Sequence, residues 1–265
     1  MSTKLCNGAS RSVLAGMMAG AAMFAWAAAA QASTTVTVDA GDNLYNTNTV
    51  AAGTTANASS SPQGGYGAVA IDVTGLSSVT FSDVTGALGQ DSGITVNGGT
   101  LNDADGVGNS SGENISSLND ISGIKASTSG FLAGVFFGST TSPTAPSDLD
   151  FTPVGATSFT SLSPELQQAF FIGDGLTGDQ TGTTQTFYVP TGATVLYLGL
   201  TDACGYSGAP NNCYGDNRGY FTVTADGTAI VTTGGVPEPA SWALMLVGFG
   251  GLGGLLRARR RPVLA

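Results

Sequence analysis

Two apolar runs, residues 13–30 and 240–256, lie near the two ends of this 265-residue chain, and everything between them must build a core from much shorter apolar pieces. The pieces at 34–38, 68–73, 78–84, 130–137, 185–189, 194–200 and 219–225 are rich in β-branched and aromatic residues, and most have Gly, Pro, Asn or Asp close by. Such segments are of strand length and carry strand boundaries. Only residues 163–171 read as a short helix, with Pro164 near the start, where a missing N–H costs nothing. A string of short strands without long helices predicts an all-β fold, a two-sheet β-sandwich. The segment 89–121 stands out as a long polar insertion containing Asn102-Asp103-Ala104-Asp105-Gly106. Loops of that length are functional or mobile. Asp103 and Asp105 imitate two positions of an EF-hand, but the other ligands and the closing glutamate are out of register, so we expect a turn there. Residues 141–147, with Pro143 and Pro146, read as a loop, and 232–236 as a hinge.

The ends set the compartment. Lys4 and Arg11 precede the first apolar run, and Ala30-Gln31-Ala32 follows it, the pattern of a secretory signal helix cut by signal peptidase between Ala32 and Ser33. At the other end, Val236-Pro237-Glu238-Pro239 precedes a run just long enough to cross a bilayer. Arg257, Arg259, Arg260 and Arg261 close it and would stay on the cytoplasmic side of the inner membrane. The division predicted is therefore 1–32 signal peptide, 33–235 exported β-sandwich domain, and 236–265 sorting segment with a transmembrane helix. Pro237-Glu238-Pro239, Trp242-Ala243-Leu244-Met245-Leu246, Gly248-Phe249-Gly250 and the arginine cluster together resemble the PEP-CTERM sorting signal. That resemblance implies an exosortase as processing partner, a transient membrane anchor, and delivery to the cell surface or extracellular matrix.

Charge and composition exclude several functions for the exported part. Its only cations are Lys125 and Arg218, against seventeen carboxylates, a net charge of −15. Nucleic-acid binding needs a basic stripe, and there is none, whereas divalent cations are attracted to such a surface. The chain has no histidine, so Cys204 and Cys213 lack the usual base for thiol catalysis, and in an oxidising compartment we expect them to pair as a disulfide. No catalytic triad, helical zinc motif or phosphate loop is present, and carboxylates such as Asp148, Asp150, Glu165 and Asp174 are what any acidic chain offers. We expect no catalytic residues.

One stretch does suggest a site. Residues 196–202 run as a strand into Asp202, and after a loop Cys213-Tyr214-Gly215-Asp216-Asn217 leads into the strand at 219–225. Calcium takes six to eight oxygens from carboxylates, amides and backbone carbonyls. Asp202, Asp216 and Asn217 can supply side-chain oxygens and Cys213 its carbonyl. The stretch resembles the C-terminal hairpin of the PA-IL-type calcium-dependent galactose-binding lectins, through Asp202 and then Tyr214, Gly215, Asp216, Asn217, Gly219 and Phe221. The resemblance implies a jelly-roll, galactose-binding-like sandwich, Ca2+ held by Asp202, Cys213, Asp216 and Asn217, and a galactose-like sugar or extracellular polysaccharide contacting Asp202, Asp216 and Asn217. The loop before Cys213 is longer than in that family, and a sugar-contacting histidine is absent. Three readings stay open: an ordinary Asx turn, a calcium site, and a calcium site that also ligates sugar. In the first, the protein would be a structural matrix or biofilm component without a specific small ligand.

Overall fold

The computed structural model describes residues 32–47, 62–89 and 102–229. The signal helix, the hinge, the box at Pro237-Glu238-Pro239 and the apolar run after it lie outside these residues. In chain order the strands are β1 (Ala32–Asp39), β2 (Asp42–Asn43), β3 (Tyr66–Gly67), β4 (Val69–Asp72), β5 (Leu76–Gly89), β6 (Val107–Ile115), β7 (Ile124–Ser129), β8 (Leu132–Gly138) and β9 (Leu149–Phe151). There follow β10 (Ser161–Leu162), β11 (Ala169–Phe171), β12 (Leu176–Gly178), β13 (Thr181–Thr184), β14 (Thr186–Tyr188), β15 (Ala193–Leu200), β16 (Ser207–Gly208) and β17 (Arg218–Ala229). The fold is all-β, as the sequence predicts. All seven segments expected to be strands contain one.

Two sheets face each other across the main core. The first has the order β1-β17-β5-β14-β10, and the second β11-β8-β15-β2-β3 with β4 also on β15. From the first, Val38, Val79, Phe81, Phe187, Phe221 and Val223 point inward, and from the second Ile71, Phe136, Leu196, Leu198 and Leu200 meet them. Burial of this apolar surface is the main stabilising term. Alternation along β17 follows from the two-residue period of a strand.

A third sheet, β16-β6-β7-β9, covers the outer face of the second. Ile115, Ile124, Ala126 and Phe151 from it pack on Ala133, Val135 and Phe137 of β8. Strand β8 is thus enclosed on both faces, which explains why its sequence is continuously apolar from Leu132 to Phe137 instead of alternating.

Two expectations are corrected. The segment 89–121 is not one polar loop: residues 90–101 lie outside the described set, but Asn102 bridges Leu88, and β6 runs antiparallel to β7 with Glu113 opposite Ala126. Residues 163–171 are not helical. Leu166 bridges Phe136, Gln167 takes a positive φ of 64°, and Ala169–Phe171 pairs with β8 as β11. Ala169, Phe170, Phe171 and Ile172 are all buried, a demand on both faces that an edge place beside β8 meets and an amphipathic surface helix does not. The loop at 141–147 is irregular as expected, with Gln167 Nε2 donating to the Ser142 carbonyl at 2.9 Å.

Candidate metal centre

Strand β15 belongs to the second sheet and β17 to the first, so residues 201–217 connect two facing sheets and the two strands do not form the hairpin the sequence comparison implies. Strands β8 and β4 flank β15, while β1 and β5 flank β17. The connection is a sheet corner, and it is firmly held. Cys204 and Cys213 form the expected disulfide, with Cα atoms 5.3 Å apart. Cys213 lies in the left-handed region with φ 78° and turns the chain into the short 3-10 turn Tyr214–Asp216.

Tyr214 is the peg of this corner. Its buried hydroxyl donates to the Leu200 carbonyl at 3.1 Å and accepts the backbone N–H of Asp202 at 3.0 Å, fixing the strand end that delivers Asp202. Its own N–H donates to the Gln63 carbonyl at 3.1 Å. Asn217 is tied to the first sheet through Nδ2, which donates to the Ala40 carbonyl at 2.9 Å, and Arg218 Nη1 donates to the carbonyls of Gly215 and Asn217 at 3.1 and 2.7 Å. Gly219 follows with φ 96°. A Cβ there would lie 2.2 Å from the Ala87 carbonyl oxygen, so only glycine allows the close pairing with β5 that starts at this point.

Of the four expected ligand residues, the corner brings three side chains together. Asp202 is 3% exposed and Asn217 1%, and Asp202 interacts with the Asn217 amide and feels the Asp216 charge. Asp202 Oδ2, Asp216 Oδ1 and Asn217 Oδ1 are all buried without a hydrogen-bond partner. Buried polar atoms in folded proteins are almost always satisfied, so three orphaned oxygens in one corner ask for a shared donor or a cation. The donor set, two carboxylates and an amide beside a turn carbonyl, fits a hard cation such as calcium. Cys213 is half-buried and stands at the turn immediately before Tyr214.

Electrostatics point the same way. Burial pushes the Asp202 carboxyl up to about 8, and the charges of Glu113 and Asp216 add to the rise against the stabilising bonds from Asn217 and the Ala203 N–H. Ionised Asp202 is therefore disfavoured until a positive charge arrives. Glu113 was not visible as a neighbour from the sequence, because it lies on β6, 89 positions before Asp202.

Elsewhere, Asp103-Ala104-Asp105-Gly106 forms the expected turn, with the Gly106 N–H donating to the Asp103 carbonyl at 3.1 Å. Sequence reasoning missed Asp179, which joins Asp103 and Asp105 so that one oxygen from each lies within 4.8 Å of the others. Burial raises the Asp105 carboxyl to about 7. A cavity of about 310 Å³ beside it is lined by Asp105, Thr128, Ser158, Phe171 and Asp179 among others. Among the acids singled out as chance pairs, Asp174 accepts the N–H groups of Leu176 and Gln180 at 2.8 and 2.6 Å, and Asp150 accepts from Thr152.

Residues 235–261 match the family model of the PEP-CTERM protein-sorting motif. The chain carries that motif. It is accordingly an exported protein sorted by an exosortase toward the cell surface, as the box at Pro237-Glu238-Pro239 and the arginine cluster imply. No curated protein and no solved structure matches the chain.

Proposed function

We propose that the exported domain of this PEP-CTERM protein is a calcium-dependent carbohydrate-binding β-sandwich. The observation that carries the reading is the trio of buried, unpartnered oxygens on Asp202, Asp216 and Asn217 at the corner between the two facing sheets. Asp202, Asp216, Asn217 and the Cys213 carbonyl would hold the ion. Bound there, calcium supplies an open coordination sphere that accepts pairs of sugar hydroxyls, which bare carboxylates bind poorly. The residues themselves do the rest. Tyr214 fixes the direction of Asp202, Asn217 anchors the loop to the first sheet, the disulfide limits the loop's freedom, and the surrounding negative charge draws the cation in.

The test is a glycan array probed with the full chain in non-ionic detergent, in calcium and in chelator, together with thermal melts in both conditions. Calcium well above its dissociation constant should stabilise the fold by about 2 to 3 kcal/mol, and glycan binding should vanish in chelator. Equal melting in both conditions would leave the Asp216-Asn217 pair as a turn and return the domain to a structural role in the matrix. Calcium stabilisation without any glycan signal would remove the sugar part alone.

A further inference from the structure

Between β11 and β14 the chain makes a hairpin that stands apart from the larger sheets. Among the described residues β12 and β13 pair with each other and with no other strand, Leu176 opposite Thr184 and Gly178 opposite Thr181. Leu176 is the one apolar side chain in residues 176–184 and is half-buried, while every residue of β13 is exposed. Cavities lie on both sides of the hairpin. Leu176, Thr177 and Asp179 help to wall the one of about 310 Å³ beside Asp105, and Leu176, Gln180 and Asp83 of β5 border another of about 250 Å³. Apolar burial therefore does little to fix the hairpin, and its polar contacts decide where it lies.

The tip is held by carboxylates. Gln180, in the left-handed region with φ 48°, donates its N–H to Asp174 Oδ2 at 2.6 Å and its Nε2 to Asp103 Oδ2 at 2.9 Å. Asp179 brings a carboxylate oxygen within 4.8 Å of one from Asp103 and one from Asp105. Asp105 is fixed from below, where its Oδ1 accepts the Asp174 N–H at 3.1 Å. Gly173 permits that approach, since a Cβ there would lie 2.1 Å from the same oxygen. At the base of the hairpin the Gln185 N–H donates to the Gly175 carbonyl at 2.8 Å, and Gly175 has a φ of 80°. The base is thus closed by a neutral backbone bond, whereas the tip is a meeting of acidic groups.

Among the described residues the titratable groups facing one another here are Asp103, Asp105, Asp174 and Asp179, with Asp83 across the second cavity. Burial raises the Asp105 carboxyl to about 7 against the bond from the Asp174 N–H, and the charges of Asp174, Asp103 and Asp179 add to the rise. The Asp103 charge raises Asp179 as well. Lifting the tip would let water reach Asp105 and carry Asp179 away, so the closed form keeps a proton that the open form releases.

We propose that the hairpin β12–β13 is a proton-operated lid on the cavity beside Asp105: it lies closed when Asp105 or Asp179 is protonated, and it lifts to open the cavity when both are ionised. The proposal is independent of the calcium reading at the sheet corner. The closed form has its full advantage near pH 4 and loses it as pH rises to about 7. One proton shifts the opening equilibrium by at most about tenfold per pH unit in that window.

The experiment is hydrogen–deuterium exchange of the full chain in non-ionic detergent and chelator from pH 4.5 to pH 8, corrected for the intrinsic exchange rate. Protection of residues 176–184 should fall at least about tenfold between pH 4.5 and pH 7 and level off above, relative to residues 194–200 of β15, which report global unfolding. A hairpin whose protection stays constant relative to β15 would overturn the proposal. Asp105→Asn keeps an oxygen for the Asp174 N–H and should lose most of the fall; the full wild-type fall in this variant would also overturn it. Asp179→Asn, at an exposed position, keeps the test open if Asp105→Asn does not fold. It removes one charge from the tip and keeps a donor toward Asp103, so its hairpin should be better protected than that of wild type at pH 7.5. Equal or lower protection there would refute the role of charge in lifting the lid.

Discussion

Removing the Asp202 charge gives the sharpest prediction about this corner, because the sign of the effect depends on whether an ion is bound. In the folded chain without calcium the Asp202 carboxyl is raised from 3.8 to about 8. The folded state then keeps this proton up to about pH 8, while the unfolded chain releases it near pH 4. Between those values the native state binds more protons than the unfolded one, so its stability falls as pH rises. At about 1.4 kcal/mol per unit the full shift corresponds to at most about 6 kcal/mol. Water entry and local relaxation reduce this, and we expect a loss of about 2 to 3 kcal/mol across the window.

Asp202→Asn removes the titrating group. Urea unfolding of the full chain in chelator, from pH 4.5 to pH 8.5, should show the wild type losing stability with rising pH faster than the variant, so that the variant is the more stable protein at pH 8. Asp105, raised to about 7 by burial, contributes a similar slope to both proteins, and the difference between them isolates Asp202. In calcium the order should reverse at pH 8: the ion keeps Asp202 ionised and stabilises only the wild type. Parallel curves for the two proteins in chelator would refute the claim that Asp202 is buried as a neutral acid.

Three further outcomes check the scaffold and the sorting. Phe136→Ala, which removes a ring stacked on Phe170 with centroids 5.3 Å apart in the main core, should cost about 3 to 5 kcal/mol in urea unfolding. Replacing both Cys204 and Cys213 by Ser opens a loop with a sequence separation of 9 and should cost about 2 to 3 kcal/mol in the same assay, with a weaker calcium response because the loop before Tyr214 gains freedom. Mass spectrometry of cell-surface protein should find the mature chain ending near Pro237-Glu238-Pro239, and recovery of residues 257–265 on the surface form would refute cleavage there.

What was legible in the sequence depended on how local its cause was. Residues 194–200 and 219–225 could be read as strands because β-branched and aromatic residues fill them and glycines bound them. Strand β6 could not be, since Gly, Asn and Ser dominate residues 108–114 and its order depends on pairing with β7 instead of on its own composition. At 163–171 the local signal was misleading. Pro164 starts a helix well, but Phe170 and Phe171 must be buried on opposite faces, one stacked on Phe136 and the other tilted against Phe131. Tertiary burial outweighed the local preference. The third sheet was missed for the same reason that β8 was easy to find: the continuous apolar run 131–137 signals cover on both faces without saying what the second cover is.

The site divides along the same line. Asp202, Asp216 and Asn217 flank one loop, so their convergence follows from chain connectivity once the strands at either end are placed. Glu113 joins them only because the register of β6 on β7 and the Thr201 hydroxyl bring it there. That arrangement ties one corner to the two facing sheets and to the sheet of β6. Asn217 bonds to Ala40 at the end of β1, Tyr214 holds the end of β15, and Glu113 belongs to β6. An ion among these oxygens, as proposed above, would let Asp202 give up its proton and hold the ends of these strands by attraction. Its removal should therefore be felt in global unfolding more than in the shape of the loop, which the disulfide and the Tyr214 bonds hold in any case. For a domain of net charge −15 with Lys125 and Arg218 as its only cations, a divalent ion held at this corner, as proposed above, would add a compensating charge where Asp202 is buried.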